Sequence, residues 1–153
     1  PDSLQAHGIG AQWLELEITE TVLMSHAESY LEAIRGIRAL GVTLSLDDFG
    51  TGYSSLSYLN RFPLDRLKVD QTFVRDMLHG PADLAVVKAI IELGHELGLR
   101  VVAEGVEREE EAQALRNIGC DELQGYLYGR PMPGAQVPAW RQAWEARRVA
   151  AEA

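Results

Sequence analysis

The chain has 153 residues, 46% of them hydrophobic, which suffices for one core of ordinary size and therefore predicts a single domain. Its net charge of -9 and its pI near 4.9 exclude a sequence-independent binder of nucleic acid polymers, which would need a basic face against the phosphates. No apolar run approaches the roughly 18 to 20 residues of a membrane span, so we expect a cytoplasmic segment without membrane contact, although a longer parent protein can be membrane-anchored.

The first third of the chain predicts a connection, a strand and a helix. Residues 1 to 12 are interpreted as a helix end followed by a connection. Strict alternation of apolar and polar residues over positions 14 to 18 predicts the first strand. The sequence Ser25 to Glu28 has the spacing of a capping box, which would begin a helix reaching about Leu40. Gly41 is the expected left-handed stop of that helix.

The second predicted strand, residues 43 to 48, ends in two adjacent aspartates, Asp47 and Asp48. Neighbouring side chains in a strand point to opposite faces, so both carboxylates can reach one ligand only if the backbone turns between them. We expect the break at Phe49 and Gly50 to permit that turn. A divalent cation is the ordinary reason to hold like charges so close, and solvated carboxylates in an Asx-type turn are the open alternative.

The remaining chain repeats a pattern of helix, closing glycine and strand. A short helix is predicted over residues 53 to 59 and a long amphipathic helix from Pro81 to Gly98. The acidic run Glu109 to Glu111 is interpreted as the solvated start of a further helix. The third, fourth and fifth predicted strands cover residues 66 to 70, 100 to 104 and 123 to 127. Strands that alternate with helices across short connections are parallel, so the sequence predicts an α/β fold, specifically an incomplete (β/α) TIM-type barrel of about five parallel strands.

Several residues with reactive or aromatic side chains are interpreted as structural. Cys120 is the single cysteine and precedes an apolar strand, so a small buried hydrophobe is predicted rather than a reactive thiol. Trp140 and Trp144 lie four residues apart in the last predicted helix, a spacing that favours packing over ligand stacking. No metal-ligand spacing connects the four histidines, which are His7, His26, His79 and His95.

Polar residues end the predicted strands, and parallel strands present those ends at one edge of the sheet. The residues expected to gather there are Glu17, Asp47, Asp48, Lys68, Asp70, Glu104, Glu107 and Gln124. Carboxylates suit hard cations far better than cysteine or histidine would. Lys68 should keep its charge because acids surround it, and a structural ion pair with Asp70 or Glu104 is the alternative role.

Five motifs, in this order, resemble the EAL-domain phosphodiesterases, which cleave the bacterial second messenger cyclic di-GMP to linear pGpG. They are Glu17 to Glu20, Asp47 to Gly52, Leu67 to Asp70, Ala103 to Glu107, and Gln124 to Leu127 with Pro131 to Pro133. The resemblance extends over essentially the whole chain. It implies a TIM-type barrel, a hydrolase that uses two Mg²⁺ or Mn²⁺ ions, and a homodimer formed through the loop after Asp48.

The resemblance also assigns roles to individual residues. Glu17, Asp47 and Asp48 match metal ligands, and Asp47 would bridge the two ions. Lys68, Glu104 and Gln124 match catalytic groups. Lys68 would hold the attacking water, Glu104 would be a carboxylate of the metal and water cluster, and Gln124 would be the polar partner of Glu104. Supporting acids are Glu20, which would steady the loop after Asp48, Asp70 and Glu107.

The chain departs from the family pattern at its amino-terminal side. The Glu-Ala-Leu tripeptide and the asparagine of the following strand, each a metal ligand in active members, do not occur in it. Both belong to the first three strands of the family barrel, so residues 1 to 153 are interpreted as the C-terminal portion of a single EAL domain. The isolated chain is therefore expected to be inactive, weakly stable and prone to self-association at an open sheet edge.

Two other functions stay open from the sequence. The first is a catalytically incompetent EAL domain that binds cyclic di-GMP or a protein partner and transmits a signal. The second is a metal-assisted lyase or isomerase that stabilises an enolate. The second is disfavoured because a carbon acid needs a poised base, whereas Lys68 is crowded by carboxylates.

Overall fold

The computed structural model of the chain describes residues 2–25, 27–50 and 59–151. Five strands form one sheet in sequence order, and every neighbouring pair is parallel. The strands are β1 (Glu15–Thr19), β2 (Thr43–Phe49), β3 (Arg66–Val69), β4 (Arg100–Ala103) and β5 (Glu122–Leu123). The α-helices are Asp2–Ala6, Glu20–Ser25, Ala27–Ala39, Gln71–Asp76, Pro81–Glu96, Glu109–Asn117 and Val137–Ala151, with short 3-10 turns at Ala11–Trp13 and Gly134–Gln136. The predicted α/β class with five parallel strands is confirmed.

The sheet has one apolar face, which explains why the strands pack against helices. Alternate residues of the central strands are fully buried there, among them Leu44, Leu46, Leu67, Val69 and Val101. The predicted long helix, Pro81–Glu96, packs on this face through Val87 and Ile91. Because side chains alternate along a strand, the residues between these apolar ones point to the other face. That second face carries the polar side chains described below.

The helices end as the sequence predicts, at glycines in the left-handed region, where a residue without a side chain is least strained. These glycines are Gly41, Gly98 and Gly119. The helix predicted after Ser25 is present as Ala27–Ala39, but the side chains of the predicted capping box Ser25–Glu28 lie outside what the structure describes. All but Leu59 of the helix predicted over residues 53 to 59 lies outside it as well.

The predicted fifth strand is wrong in its length. Only Glu122–Leu123 pair with β4, because the chain turns at Gly125. The turn is closed by hydrogen bonds that the backbone nitrogens of Tyr128 and Gly129 donate to the Gly125 carbonyl oxygen, over 3.1 and 3.3 Å. The third strand likewise ends one residue early, because the Asp70 carboxylate caps the helix Gln71–Asp76 by accepting from the Thr72 nitrogen at 2.9 Å.

The acidic run at the start of helix Glu109–Asn117 is not uniformly solvated, which corrects the prediction for Glu111. Its side chain is buried and accepts hydrogen bonds from the backbone nitrogens of Glu107 and Arg108, over 2.9 and 3.0 Å. It also pairs with the Arg108 guanidinium at 2.6 Å. Although burial opposes it, this set of donors lowers the pKa of the Glu111 carboxyl. Glu111 therefore satisfies two backbone donors before the helix while its neighbours stay exposed.

The C-terminal helix, Val137–Ala151, packs through its two tryptophans as predicted. The rings of Trp140 and Trp144 stack with centroids 6.1 Å apart, and Tyr128 meets Trp144 edge-on at 5.5 Å. Within the described ranges, no helix has both the length and the apolar character needed to cross a membrane.

The histidines that the structure describes lie on the surface. His95 lies 2.9 Å from Asp121, and His79 lies 3.8 Å from Asp76. His7 is exposed. His26 lies outside the described residues.

Cys120 is a packed thiol in the short connection before β5. Its sulfur lies 3.5 Å from the carbonyl oxygen of Val101 and 3.3 Å from that of Glu122. Burial raises the pKa of the Cys120 thiol to about 11. Cys120 is partly buried and packs against the core, so the structural interpretation holds, although the side chain is not fully buried.

We expect native Cys120 to resist alkylation. At about pH 8, roughly one such thiol in a thousand would be ionised, against more than one in ten for an ordinary thiol, and only the thiolate reacts. Iodoacetamide should therefore label the folded chain about 100-fold more slowly than the same chain unfolded in guanidinium, with both rates followed by mass spectrometry. Native labelling within about threefold of the unfolded rate would contradict the burial described for this thiol.

Candidate functional site

Lys68 is the buried centre of the polar face of the sheet. It lies on β3, the middle strand, between the core residues Leu67 and Val69. Alternation along the strand directs those two neighbours into the apolar core and Lys68 to the opposite face. Only 4% of the residue is exposed, so its charge needs partners.

Three carboxylates from three other strands supply those partners. The Lys68 Nζ atom lies 2.5 Å from Glu17 Oε1 on β1 and 3.1 Å from Asp47 Oδ1 on β2. It also lies 2.8 Å from the Oε1 atom of Glu104, which directly follows β4. The structure therefore brings together four residues that the sequence placed at one edge of the sheet, although their roles stay predictions. We call Glu17, Asp47, Asp48, Lys68, Glu104 and Gln124 the strand-end site.

The carboxylates keep Lys68 charged. Burial alone would lower the pKa of the Lys68 ammonium, but its contacts with Glu104, Glu17 and Asp47 outweigh this effect and raise the pKa above the ordinary value. An ammonium of this kind can donate hydrogen bonds and offset negative charge, but it does not give up a proton near neutral pH. Of the two alternative ion pairs, the one with Glu104 is present at 2.8 Å, whereas the Asp70 carboxylate accepts hydrogen bonds from Thr72 instead.

A bulge in β2 changes the directions of the two adjacent aspartates. The pairing of β2 with β3 shifts register between Leu46 and Phe49, and Asp48 has a φ of 55°. This left-handed conformation is uncommon outside glycine, although aspartate tolerates it better than most residues. The turn that the sequence placed at Phe49 and Gly50 therefore occurs one residue earlier, and the strand continues to Phe49.

Asp48 and Glu104 line the same cleft at the strand ends, a cavity of about 290 Å³ that also includes Asp70, Glu107 and Gln124. Burial raises the pKa of the Asp48 carboxyl, and the nearby charges of Asp47 and Asp70 add to the effect. Burial also raises the pKa of the Glu104 carboxyl, although Lys68 opposes it. Burial is the main cause at both residues, and neighbouring carboxylates add to it.

Glu20 supports the chain directly after the two aspartates. Its side chain is buried and accepts a hydrogen bond from the Gly50 nitrogen at 2.9 Å. This contact attaches the start of the loop after Asp48 to the helix Glu20–Ser25, at the end of β1. Residues 51 to 58 of that loop are outside the described part of the chain.

The chemistry of the strand-end site fits a divalent cation. Four carboxylates, those of Glu17, Asp47, Asp48 and Glu104, share one ammonium. Apart from its ion-pair contact with Lys68, Asp47 Oδ1 is a buried oxygen without a hydrogen-bond partner among the described residues. A hard cation is the usual occupant of such an oxygen set. Within the described ranges no three acidic, histidine or cysteine side chains already form a metal cage, since the Lys68 ammonium occupies the centre of the carboxylates.

Sequence reasoning missed a second polar layer, which lies two residues before the strand-end site on the same face. We call it the lower ionic layer; it consists of Glu15, Ser45, Arg66, Arg100 and Glu122. Two glutamates and two arginines make it neutral, in contrast to the acidic excess above it. The alternation of side chains along the strands could have revealed this layer. Glu15 precedes Glu17 by two positions, as Arg66 precedes Lys68 and Glu122 precedes Gln124.

Comparison with known proteins identifies relatives over nearly the whole chain. A sequence model described as "EAL domain" matches residues 1–131. The cyclic di-GMP phosphodiesterase NbdA of Pseudomonas aeruginosa is 45% identical over 142 residues, 93% of this chain and 18% of that protein. A solved structure, the PaMucR phosphodiesterase in complex with c-di-GMP, matches with a TM-score of 0.85 and 46% identity, over 89% of this chain and 55% of that one.

A second solved structure bears on the metal. It is a manganese and cy-diGMP complex of BlrP1 from Klebsiella pneumoniae, with a TM-score of 0.79 and 39% identity, over 85% of this chain and 33% of that one. The chain spans about a fifth of the length of the curated relatives it matches.

Proposed function

The chain belongs to the EAL domain family, and from this membership we propose that it supplies most of the active site of a metal-dependent hydrolase that cleaves cyclic di-GMP to linear pGpG. The observation that carries the proposal is the set of three carboxylates, from three different strands, around the buried Lys68 ammonium. A structural ion pair would need one carboxylate, whereas this site holds an excess of acid. Such an excess suits a site that binds cations.

In this proposal the residues of the chain have distinct roles. Glu17, Asp47 and Asp48 would hold Mg²⁺ or Mn²⁺. Bound divalent ions supply a hydroxide at neutral pH and offset the charge that develops on the phosphoryl group. Lys68 would orient the attacking water through its N–H donors. Glu104 would belong to the metal and water cluster and would also hold Lys68 in place.

Gln124, Glu20 and two further acids complete the assignment. Gln124 lines the same cleft as Glu104, where its amide can bind the water or the substrate. Glu20 would keep the chain after Asp48 in place through its contact with Gly50. Asp70 and Glu107 would support the site from its rim.

We further propose that the chain is the C-terminal portion of a single EAL domain. Support comes from its five strands, its match to 55% of the MucR chain, and the absence of a Glu-Ala-Leu tripeptide from its sequence. In that case residues 1 to 153 alone lack two metal ligands and should hydrolyse cyclic di-GMP near the background rate. The proposal includes a homodimer through the loop after Asp48 and a cytoplasmic location, where a second messenger acts.

The test is conversion of cyclic di-GMP by the full-length protein, meaning the longest polypeptide that its gene encodes. We expect linear pGpG to form with Mg²⁺ or Mn²⁺ and not with EDTA, as followed by chromatography of the nucleotides. Residues 1 to 153 alone should convert less than about one hundredth as fast, because each lost ligand costs about 10- to 100-fold.

Two results would contradict parts of this proposal. Tight binding of cyclic di-GMP without conversion by the folded full-length protein would favour the signalling module that only binds. Rapid conversion by residues 1 to 153 would show that the chain needs no further metal ligands, and would overturn its assignment as a portion of a domain.

A further inference from the structure

The lower ionic layer connects the two outer strands of the sheet through its middle strand. Arg66 on β3 lies 2.7 Å from Glu122 Oε2 on β5 and 3.6 Å from Glu15 Oε2 on β1. Ser45 on β2 donates a hydrogen bond to the other oxygen of Glu15. Arg66 thus contacts side chains two strands away on each side of β3.

The residues held by Arg66 each precede a member of the strand-end site by two positions. Glu15 precedes Glu17, and Glu122 precedes Gln124, so each pair shares one face of its strand. Glu17 lies on a strand that pairs with only one other described strand, and 49% of its side chain is exposed. Its approach to the centre of the site therefore depends on how closely β1 curves inward.

We propose that Arg66 is a positioning residue, which holds Glu17 and Gln124 in the strand-end site by tying β1 and β5 to β3 from the layer below. The inference rests on the proposed function in that the site must bind a divalent cation. Arg66 itself would touch neither cation nor substrate. Its effect would reach the cation through the position of the Glu17 carboxylate.

The direction in which cation affinity changes when Arg66 is removed distinguishes a positioning role from a simple effect of its charge. Arg66 is a positive charge roughly 7 Å along the strand from the strand-end site, so its removal by itself should strengthen cation binding. If Arg66 positions Glu17, removal should instead weaken binding, because β1 loses one of its side-chain contacts with β3 and keeps only the contact of Glu17 with Lys68. Loss of a supporting contact of this kind typically costs about 10- to 100-fold in metal affinity.

The experiment measures the Mn²⁺ affinity of the full-length protein by electron paramagnetic resonance and its metal-free melting temperature by circular dichroism. We expect Arg66→Met to weaken Mn²⁺ binding about 10- to 100-fold, and Arg66→Lys to recover part of the loss, since it keeps the charge and one contact. Arg100→Met is the matched control. Arg100 belongs to the same layer and is 63% exposed, and its ion pair is with Glu122 at 3.3 Å. Its removal should leave the affinity unchanged or slightly tighter.

A double-mutant cycle tests the route through Glu17. Arg66→Met should weaken Mn²⁺ binding much less in a Glu17→Gln background than in the wild type. The reason is that the side chain positioned by Arg66, that of residue 17, then carries no charge. Equal effects in both backgrounds would overturn this route.

The outcomes separate the inference from the proposed function. If the wild-type protein binds Mn²⁺ and the Arg66→Met variant binds it as tightly or more tightly, the inference alone is overturned, even if the melting temperature of the variant falls. A folded wild-type protein that does not bind Mn²⁺ would overturn both. If Arg66→Met does not fold, Arg66→Lys and Glu15→Gln decide the matter, because Glu15 is the contact of Arg66 on β1. Wild-type Mn²⁺ affinity in both variants would overturn the inference.

Discussion

Lys68→Met should reduce hydrolysis of cyclic di-GMP by the full-length protein about 10²- to 10⁴-fold, the range expected when a group that assists proton transfer or holds the attacking water is lost. Methionine keeps the length and apolar stem of lysine but removes the N–H donors that contact Glu17, Asp47 and Glu104. The measurement is the initial rate of pGpG formation at saturating Mn²⁺, together with the Mn²⁺ affinity of each variant.

The sign of the change in affinity distinguishes a catalytic role from loss of metal. Removal of a positive charge among carboxylates should leave Mn²⁺ binding intact or tighter, so activity should fall while the metal stays bound. Lys88 offers a matched control, because Lys68 and Lys88 are the only lysines of the chain. The Lys88 side chain is 56% exposed and pairs with Glu92 at 3.6 Å, so Lys88→Met should change neither quantity. A Lys68→Met protein that keeps more than about a tenth of the wild-type rate would contradict the assigned role.

Among the glycines that the structure describes, Gly125 should give the most destabilising glycine-to-alanine substitution. A Cβ atom at Gly125 would lie 2.1 Å from the oxygen and 2.3 Å from the nitrogen of Val106, both backbone atoms. The two segments would have to separate, although Val106 now accepts from Leu127 and donates to Gln124, each over 3.0 Å. Overpacking costs about 1 to 3 kcal/mol and each weakened hydrogen bond about 1 kcal/mol more, so we expect a loss of about 3 kcal/mol or more.

Thermal unfolding measures this effect directly. A loss of that size corresponds to a fall in melting temperature of about 10 °C in a domain of this length. Gly134→Ala is the control, since no atom lies within 4 Å of a Cβ built there, and it should shift stability by less than about 0.5 kcal/mol. Melting temperatures of the two variants within about 2 °C of each other would contradict the close approach of the segments at Gly125 and Val106.

Local signals in the sequence predicted most of the fold. Apolar alternation marks β1 and β2, and left-handed glycines mark the helix ends at Gly41, Gly98 and Gly119, because both depend on a few neighbouring residues. The end of β5 could not be predicted in this way. It is set by the approach of Gly125 to Val106, which joins segments about twenty residues apart.

The residues of the strand-end site were predictable because parallel strands present their carboxyl ends on one side. Alternation also shows that Arg66 shares a face with Lys68. It does not show that the sheet curves enough for Arg66 to reach Glu15 and Glu122 over intervening strands, so the lower ionic layer was missed. Glu111 was misinterpreted for a similar reason, because its burial depends on the chain before the helix bending back toward it.

Cation binding at Asp47 is the most direct test of the proposed strand-end site. Asp47→Asn removes one charge from the carboxylate whose buried Oδ1 atom has, apart from the Lys68 ammonium at 3.1 Å, no hydrogen-bond partner among the described residues. Asp83→Asn removes the same charge from an exposed residue near the start of helix Pro81–Glu96. Mn²⁺ titrations of the full-length protein should show at least about a 10- to 100-fold weaker affinity for Asp47→Asn and wild-type affinity for Asp83→Asn. Equal Mn²⁺ affinities in both variants and the wild type would contradict a divalent-cation site at the strand ends.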